Sequence, residues 1–134
     1  MRTLALDVST TAIGWAVGDD GEVGAFGEEV RYKEPSDTEG DKIHWVVTVC
    51  LGLWLSHECD RLLIEESSMR LNMKTTRLLL GTRGALIHAF HQLGVEADFM
   101  TVTSIRKKIG VEQGFEKGTS KYLRRKTIKA RVIA

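Results

Sequence analysis

Residues 3–9, Thr-Leu-Ala-Leu-Asp-Val-Ser, form an apolar run that holds one carboxylate, Asp7, between Leu6 and Val8. The run predicts a buried strand. Asp is depleted in strands, and an ionised carboxylate against a sheet is costly unless a cation or a set of donors compensates. Two readings are open. Asp7 ends the strand or caps the turn at Ser9, Thr10 and Thr11, a common use of Asp, or it holds a ligand. A second run, Arg-Leu-Leu-Ile-Glu-Glu at 61–66, also ends on acids and favours the second reading. Neighbouring strands lie roughly 5 Å apart, so pairing these two brings their carboxylates together. Such charges repel, and the arrangement makes most sense around a divalent metal.

The rest of the chain builds outward from that pair. Residues 13–18 predict a second strand, and Asp19-Asp20-Gly21 is a hairpin turn signal, because Asp and Gly tolerate positive φ. A third strand over 22–32 completes a meander, its Gly24 and Gly27 marking a bulge or a close backbone approach. The charged stretch 33–41, with the sole proline, Pro35, reads as a loop. Over 42–57 the apolar positions Ile43, Val46, Val47, Cys50, Leu51 and Trp54 follow helical spacing. Residues 61–65 form strand four and 67–74 a polar connection. A long helix spans 75–93, with a stripe of Leu79, Arg83, Leu86, Phe90 and Leu93, and its Gly81 and Gly84 predict close approach to a neighbour. A fifth strand is expected over 95–102. Beyond it come a short helix over 104–109 with Thr103 as cap, a loop over 110–118, and a basic helix over 119–133 capped by Thr119 or Ser120. Strands first in hairpins, then alternating with helices, predict an α/β fold with a mixed sheet.

Composition bounds the function. The 134 residues are 43% hydrophobic and 28% charged, as expected of one ordered globular domain with a true core. The most apolar segment, 45–55, is too short to span a membrane and contains Thr48 and Gly52. The chain starts directly in a strand, without a signal peptide. Cys50 and Cys59 lie nine apart with no CxxC or Cys/His pattern, so reduced structural thiols and a cytoplasmic setting are expected. The net charge of +1 hides a polarity: residues 101–134 hold ten Lys/Arg against two Glu, whereas residues 1–100 hold nine against sixteen acids. A basic end on an acidic body points to an anionic partner, although a solvated helix face has the same composition.

The element order, with an acid inside strand one and another at the end of strand four, resembles the ribonuclease H-like fold. Within it the chain resembles the RuvC-type Holliday-junction resolvases, including the small phage-encoded ones. Leu-Asp-Val-Ser-Thr-Thr-Ala-Ile-Gly-Trp-Ala (6–16) is similar to the family's strand-one Asp, small polar turn, Gly and strand two. Ile64-Glu65, Asn72 seven residues on, and Arg83-Gly84 eleven further match the spacing of the family's Ile-Glu…Asn…Arg-Gly. The resemblance covers essentially the whole chain.

It implies a five-stranded mixed sheet with helices on both faces, and structure-selective cleavage of branched DNA by two Mg²⁺ or Mn²⁺ ions. Asp7 would bridge the metals and Glu65 would ligate one, giving in-line attack of an activated water on a phosphodiester. Strand alternation sends Glu66 to the opposite face. Met69 lies beside Ser68, where the family presents a wedge to the junction, and joins Asn72 among the DNA-binding candidates. Lys107, Lys117, Lys121, Arg124 and Arg125 are the phosphate-contact candidates. The resemblance also implies a homodimer formed through the region of Arg83, which would pair with an acid, and a bacterial or phage-infected host cytoplasm.

The chain departs from the family in one respect. The family's site has a further acidic pair, or an acid and a His, on the last helix downstream of a basic segment. Here 121–131 resembles that segment, and no Asp or Glu follows Glu116. The expectation is a single nuclease domain over 1–134 that lacks the end of its last helix, its active site incomplete in this chain; Asp98 is the substitute to weigh. His88 and His91, three apart on a helix, read as ordinary histidines, and Trp15, Trp45 and Trp54 as core. Two rival readings stand. One is a branched-DNA binding module without catalysis. The other is part of an actin-like kinase or ATPase, whose strand-one Asp precedes a Thr-rich turn; that turn needs glycine for phosphate approach, and 8–13 has none.

Overall fold

The computed structural model of the chain describes residues 1–20, 22–66 and 72–101. These form β1 (Arg2–Val8), β2 (Ala12–Asp19), β3 (Glu22–Val30), α1 (Glu39–Ser56), β4 (Arg61–Glu66), α2 (Met73–Gln92) and β5 (Ala97–Thr101). The sheet order is β3-β2-β1-β4-β5. Pairs β1/β2 and β2/β3 are antiparallel, while β1/β4 and β4/β5 are parallel. The expected α/β architecture with a five-stranded mixed sheet is therefore present. No helix among the described residues is long and apolar enough to cross a membrane.

Local chemistry sets the connections. Ser9 holds the β1–β2 turn: its Oγ donates to the Ala12 carbonyl at 2.9 Å and accepts from the Ala12 amide at 3.0 Å. Asp20 takes φ +47 in the β2–β3 hairpin, the left-handed conformation that Asp tolerates. Beyond β3, Arg31 pairs with Asp37 at 2.6 Å with both side chains nearly buried, and Asp37 also accepts from the Glu34 amide at 2.8 Å. Thr38 and Asp41 then form a capping box on α1, each side chain accepting from the other's backbone amide. The hydrogen bond from Thr38 holds the Asp41 carboxyl below its ordinary range.

Both described helices pack on one face of the sheet. Leu4, Leu6 and Val8 of β1, Ile13 and Val17 of β2, and Leu62 and Ile64 of β4 share a core with Val46, Cys50 and Trp54 of α1 and Leu86 and Phe90 of α2. Trp54 meets Phe90 edge-on with ring centroids 5.4 Å apart. Large apolar side chains of this kind are worth roughly 1.5–3 kcal/mol each on full burial, so this layer dominates stability. Cys50 and Cys59 lie in it as free thiols, and burial pushes Cys50 up to about 12 and Cys59 to about 11.

Several boundaries differ from those the sequence predicts. Helix α1 starts at Glu39 and α2 at Met73, ahead of the predicted 42 and 75. The polar first turns carry no hydrophobic period, and the caps Thr38 and Asn72 set the true starts. Strand β3 ends at Val30 and β5 begins at Ala97. On α2 the fully buried positions are Thr82, Leu86 and Phe90; Leu93 is half exposed and Arg83 lies at the surface. Thr82 is tolerated there because its hydroxyl donates to the Leu78 carbonyl at 2.7 Å. The helices expected over 104–109 and 119–133, including any cover for the second sheet face, lie outside the described residues.

Among the glycines, close approach holds at two of the four positions named. A Cβ on Gly27 would stand 2.9 Å from the Trp15 ring, which lies across β3 at that point, and one on Gly81 would touch Ile43 of α1 at 3.4 Å. Gly24 is instead the extra residue of a bulge, since Val17 pairs with Ala25 but Gly18 with Val23. A Cβ on Gly84 would meet no described atom. Gly27→Ala is therefore expected to destabilise the fold by about 1–3 kcal/mol through overpacking. Gly84→Ala is expected to stabilise it by up to about 1 kcal/mol through helix propensity. Urea unfolding of the two variants, compared at equal m-value, checks both signs.

Candidate active site

Pleating decides where Asp7 points. Leu6 and Val8 flank it and face the helices, so Asp7 faces the other way. The same holds on β4, where Ile64 lies in the helix-side core and Glu65 follows it. Leu6 pairs with Ile64 in the parallel β1/β4 ladder. One residue further, Asp7 and Glu65 stand side by side on the face away from α1 and α2, their backbones about 4.8 Å apart. Both are half-buried. They sit at the carboxyl ends of β1 and β4, where the chain turns to one side for β2 and β3 and later returns on the other for β4 and β5. Open α/β sheets place ligands in the crevice at such a point.

The row continues on both sides. Asp7 pairs with Gly14 of β2, and Gly14 with Glu28 of β3, while Glu65 pairs with Met100 of β5. Gly14 has no side chain, so β2 contributes none to the row between Asp7 and Glu28, two strands away. Glu28 was not among the residues expected from sequence, because its membership of this row depends on the bulge at Gly24. No group of three His, Cys, Asp or Glu side chains close enough to hold one metal ion occurs among the described residues.

Glu66 takes the helix side. Its carboxylate lies 3.4 Å from the Arg83 guanidinium of α2, and Arg83 in turn lies over the Phe99 ring at 4.2 Å. The acid expected to pair with Arg83 is thus Glu66 of the same chain. Asp98, weighed as a substitute ligand, pairs with Leu63, one step short of the Asp7 row, and is engaged by the Arg61 Nε at 3.2 Å. Asn72 is the N-cap of α2, its Oδ1 accepting from the Thr75 amide at 2.9 Å. That cap occupies one lone pair of Oδ1 and leaves the amide NH₂ to face another molecule. His88 and His91 are exposed, and His91 Nδ1 lies 3.5 Å from Glu96. Met69, Lys107, Lys117, Lys121, Arg124 and Arg125 lie outside the described residues.

No protein-family model and no curated protein matches this chain. Among solved structures, Thermus thermophilus RuvC in complex with Holliday junction substrate matches with a TM-score of 0.73 at 13% identity, over 98% of this chain and 90% of that one. A second T. thermophilus RuvC structure matches with a TM-score of 0.66, also at 13% identity, over 98% of this chain and 92% of that one. The fold is that of RuvC. The likeness runs nearly end to end in both chains and is one of architecture, ribonuclease H-like as the element order predicts. Within this RuvC-like frame the chemistry rests on the chain's own side chains.

Two carboxylates on one face suit a hard divalent cation. Millimolar Mn²⁺ or Mg²⁺ is therefore expected to raise the melting temperature of the wild type. A ligand at a hundred times its Kd adds about 2.7 kcal/mol. Asp7→Asn and Glu65→Gln are each expected to lose most of that increment, and differential scanning fluorimetry with and without metal measures it.

Proposed function

We propose that this protein is a metal-dependent endonuclease that cuts branched DNA, resolving four-way junctions, with an acidic site that is incomplete among the described residues. The observation that carries the reading is the pairing of Asp7 with Glu65 at the carboxyl ends of two central parallel strands. Its support is a fold shared nearly end to end with a RuvC whose structure contains a Holliday junction. In this reading Asp7 and Glu65 would hold the two Mg²⁺ or Mn²⁺ ions, Asp7 shared between them and Glu65 a ligand of one. Bound there, such ions supply Lewis acidity and a water that is nucleophilic near neutral pH. The chain's own part is geometric. The paired strands fix the two carboxylates at one spacing, and Gly14 puts no side chain beside Asp7.

The DNA contacts are proposed to come from Met69 and Asn72, which lie in sequence between β4 and α2, and from Lys107, Lys117, Lys121, Arg124 and Arg125 in the basic region. A homodimer through α2 also belongs to this reading. Leu80 and Ile87, seven residues apart on α2, are 46% and 40% exposed, with bare Gly84 between them. The protein would act in the cytoplasm of a bacterium or of a phage-infected cell. A second reading, a branched-DNA binding module that does not cut, draws on the lack, among the described residues, of a third His, Cys, Asp or Glu close enough to share one metal ion with the pair.

Cleavage of an end-labelled four-way junction in Mg²⁺ or Mn²⁺ separates the two. The nuclease reading expects symmetrical nicks that vanish in Asp7→Asn and in Glu65→Gln while junction binding persists. Cutting retained by either variant removes that residue from the site, and binding without any cutting favours the module. Replacing Lys121, Arg124 and Arg125 together by Ala is expected to weaken junction binding and to reduce the slope of log K against log salt by about one unit per lost phosphate contact. A slope unchanged from wild type assigns 121–125 to a solvated surface. Leu80→Glu with Ile87→Glu is expected to shift the protein to monomer in sedimentation velocity.

A further inference from the structure

We propose that Arg83 is a positioning residue for Glu65. It would act from the opposite face of the sheet by clamping Glu66. The inference rests on the site reading above and extends it to a residue that touches neither metal nor substrate.

Glu65 and Glu66 are the last two residues of β4, and Glu66 pairs with Thr101, the last residue of β5. The ladder with β5 holds the backbone there, and a side-chain contact on the helix side adds to what fixes the pleat. Arg83 supplies that contact twice. Its Nη2 lies 3.4 Å from Glu66 Oε1, and its guanidinium carbon stands 4.2 Å from the centroid of Phe99, which pairs with Ile64 one step earlier. A single planar cation thus spans β4 and β5 at the level of the site. Because successive side chains on a strand point to opposite faces, holding Glu66 towards α2 obliges Glu65 to face Asp7. Loss of the Glu66 contact loosens the last peptide of β4 and, with it, the orientation of Glu65.

The magnitudes make this separable from stability. Arg83 and Glu66 are 43% and 42% exposed, so their pair is screened and weakly stabilising. Variants are therefore expected to fold. A catalytic group displaced by about 1 Å, however, costs on the order of a hundredfold in rate.

The test compares Arg83→Ala, Arg83→Lys, Glu66→Gln and the Arg83→Ala/Glu66→Gln double variant, using junction cleavage in Mg²⁺ and amide hydrogen exchange. The inference expects Arg83→Ala to lower kcat by about 10–100-fold with KM for the junction little changed. Arg83→Lys should recover part of the loss, since lysine keeps the charge but not the flat face on Phe99. The double variant should be no worse than the poorer single, because both break one contact. Amides of residues 65 and 66 should exchange faster in Arg83→Ala while those of 62–64 keep their protection. A raised KM at constant kcat, with a shallower salt dependence, makes Arg83 a phosphate contact and overturns the proposal. Multiplicative losses in the double variant, or unchanged exchange at 65 and 66, overturn it too. A wild type that binds the junction and never cuts it refutes the nuclease reading alone, and the exchange rates then decide whether the clamp exists.

Discussion

The structure depends on the parallel pairing of β1 with β4 in one register. Leu4 faces Leu62 and Leu6 faces Ile64, and these four side chains are at most 4% exposed. A slip of one residue on either strand would turn its whole apolar set to the other face and drive a carboxylate into the core. Burying an unpaired carboxylate costs several kcal/mol even after relaxation, and the lost leucine and isoleucine burial adds a comparable amount. The helix-side core and the acidic pair are thus two consequences of one register. The core specifies it, and the acids would be expelled from any alternative.

The same coupling runs across the sheet to β3. Without the bulge at Gly24, continuing the hairpin register would set Phe26 against Trp15 and Gly27 against Gly14. With it, Gly27 lies against Trp15, where the indole ring needs a residue without Cβ, and Glu28 lies against Gly14. One inserted residue therefore accommodates a large ring on the helix side and adds an acid to the site row on the other. Trp15 Nε1 is buried without a hydrogen-bond partner among the described residues, a cost of about 1–3 kcal/mol that the packing of Trp15 must offset.

Asp7 and Glu65 were readable from sequence because both facts needed for them are local. Each lies on a strand of apolar residues, and period-two alternation separates Glu65 from Glu66. The sheet and its mixed character were readable for the same reason, from hairpin signals followed by helix-length spacers. Helix starts were not, because Thr38, Asp41 and Asn72 act through capping, which leaves no mark on hydrophobic periodicity. Glu28 was out of reach: placing it requires the register of two strand pairs and the location of a bulge. The partner of Arg83 was half readable. An arginine on an apolar stripe demands an acid, but only the fold shows that the acid is the neighbour of Glu65. Asn72 illustrates a different limit, since a motif residue that caps a helix and one that faces DNA have the same spacing.

A nuclease built on this row faces an electrostatic difficulty. It must bring a phosphodiester, itself anionic, to two carboxylates with a third acid in the same row, on a body whose first hundred residues carry sixteen acids against nine Lys/Arg. Without compensation that field repels the substrate over about 10 Å at 0.1 M salt. On the proposed function two compensations would act at different ranges. Divalent ions would cancel the local charge at the carboxylates. The ten Lys/Arg of residues 101–134 would attract the duplex and hold its backbone. Neither would replace the other: ions at the site cannot steer a duplex at physiological salt, and lysines on the DNA backbone cannot stabilise charge developing on a leaving oxygen. Binding and cutting should therefore respond differently to salt and to metal. Added monovalent salt should weaken association while leaving the rate of the bound complex nearly intact. Removal of divalent metal should stop the reaction while the basic region still holds the DNA.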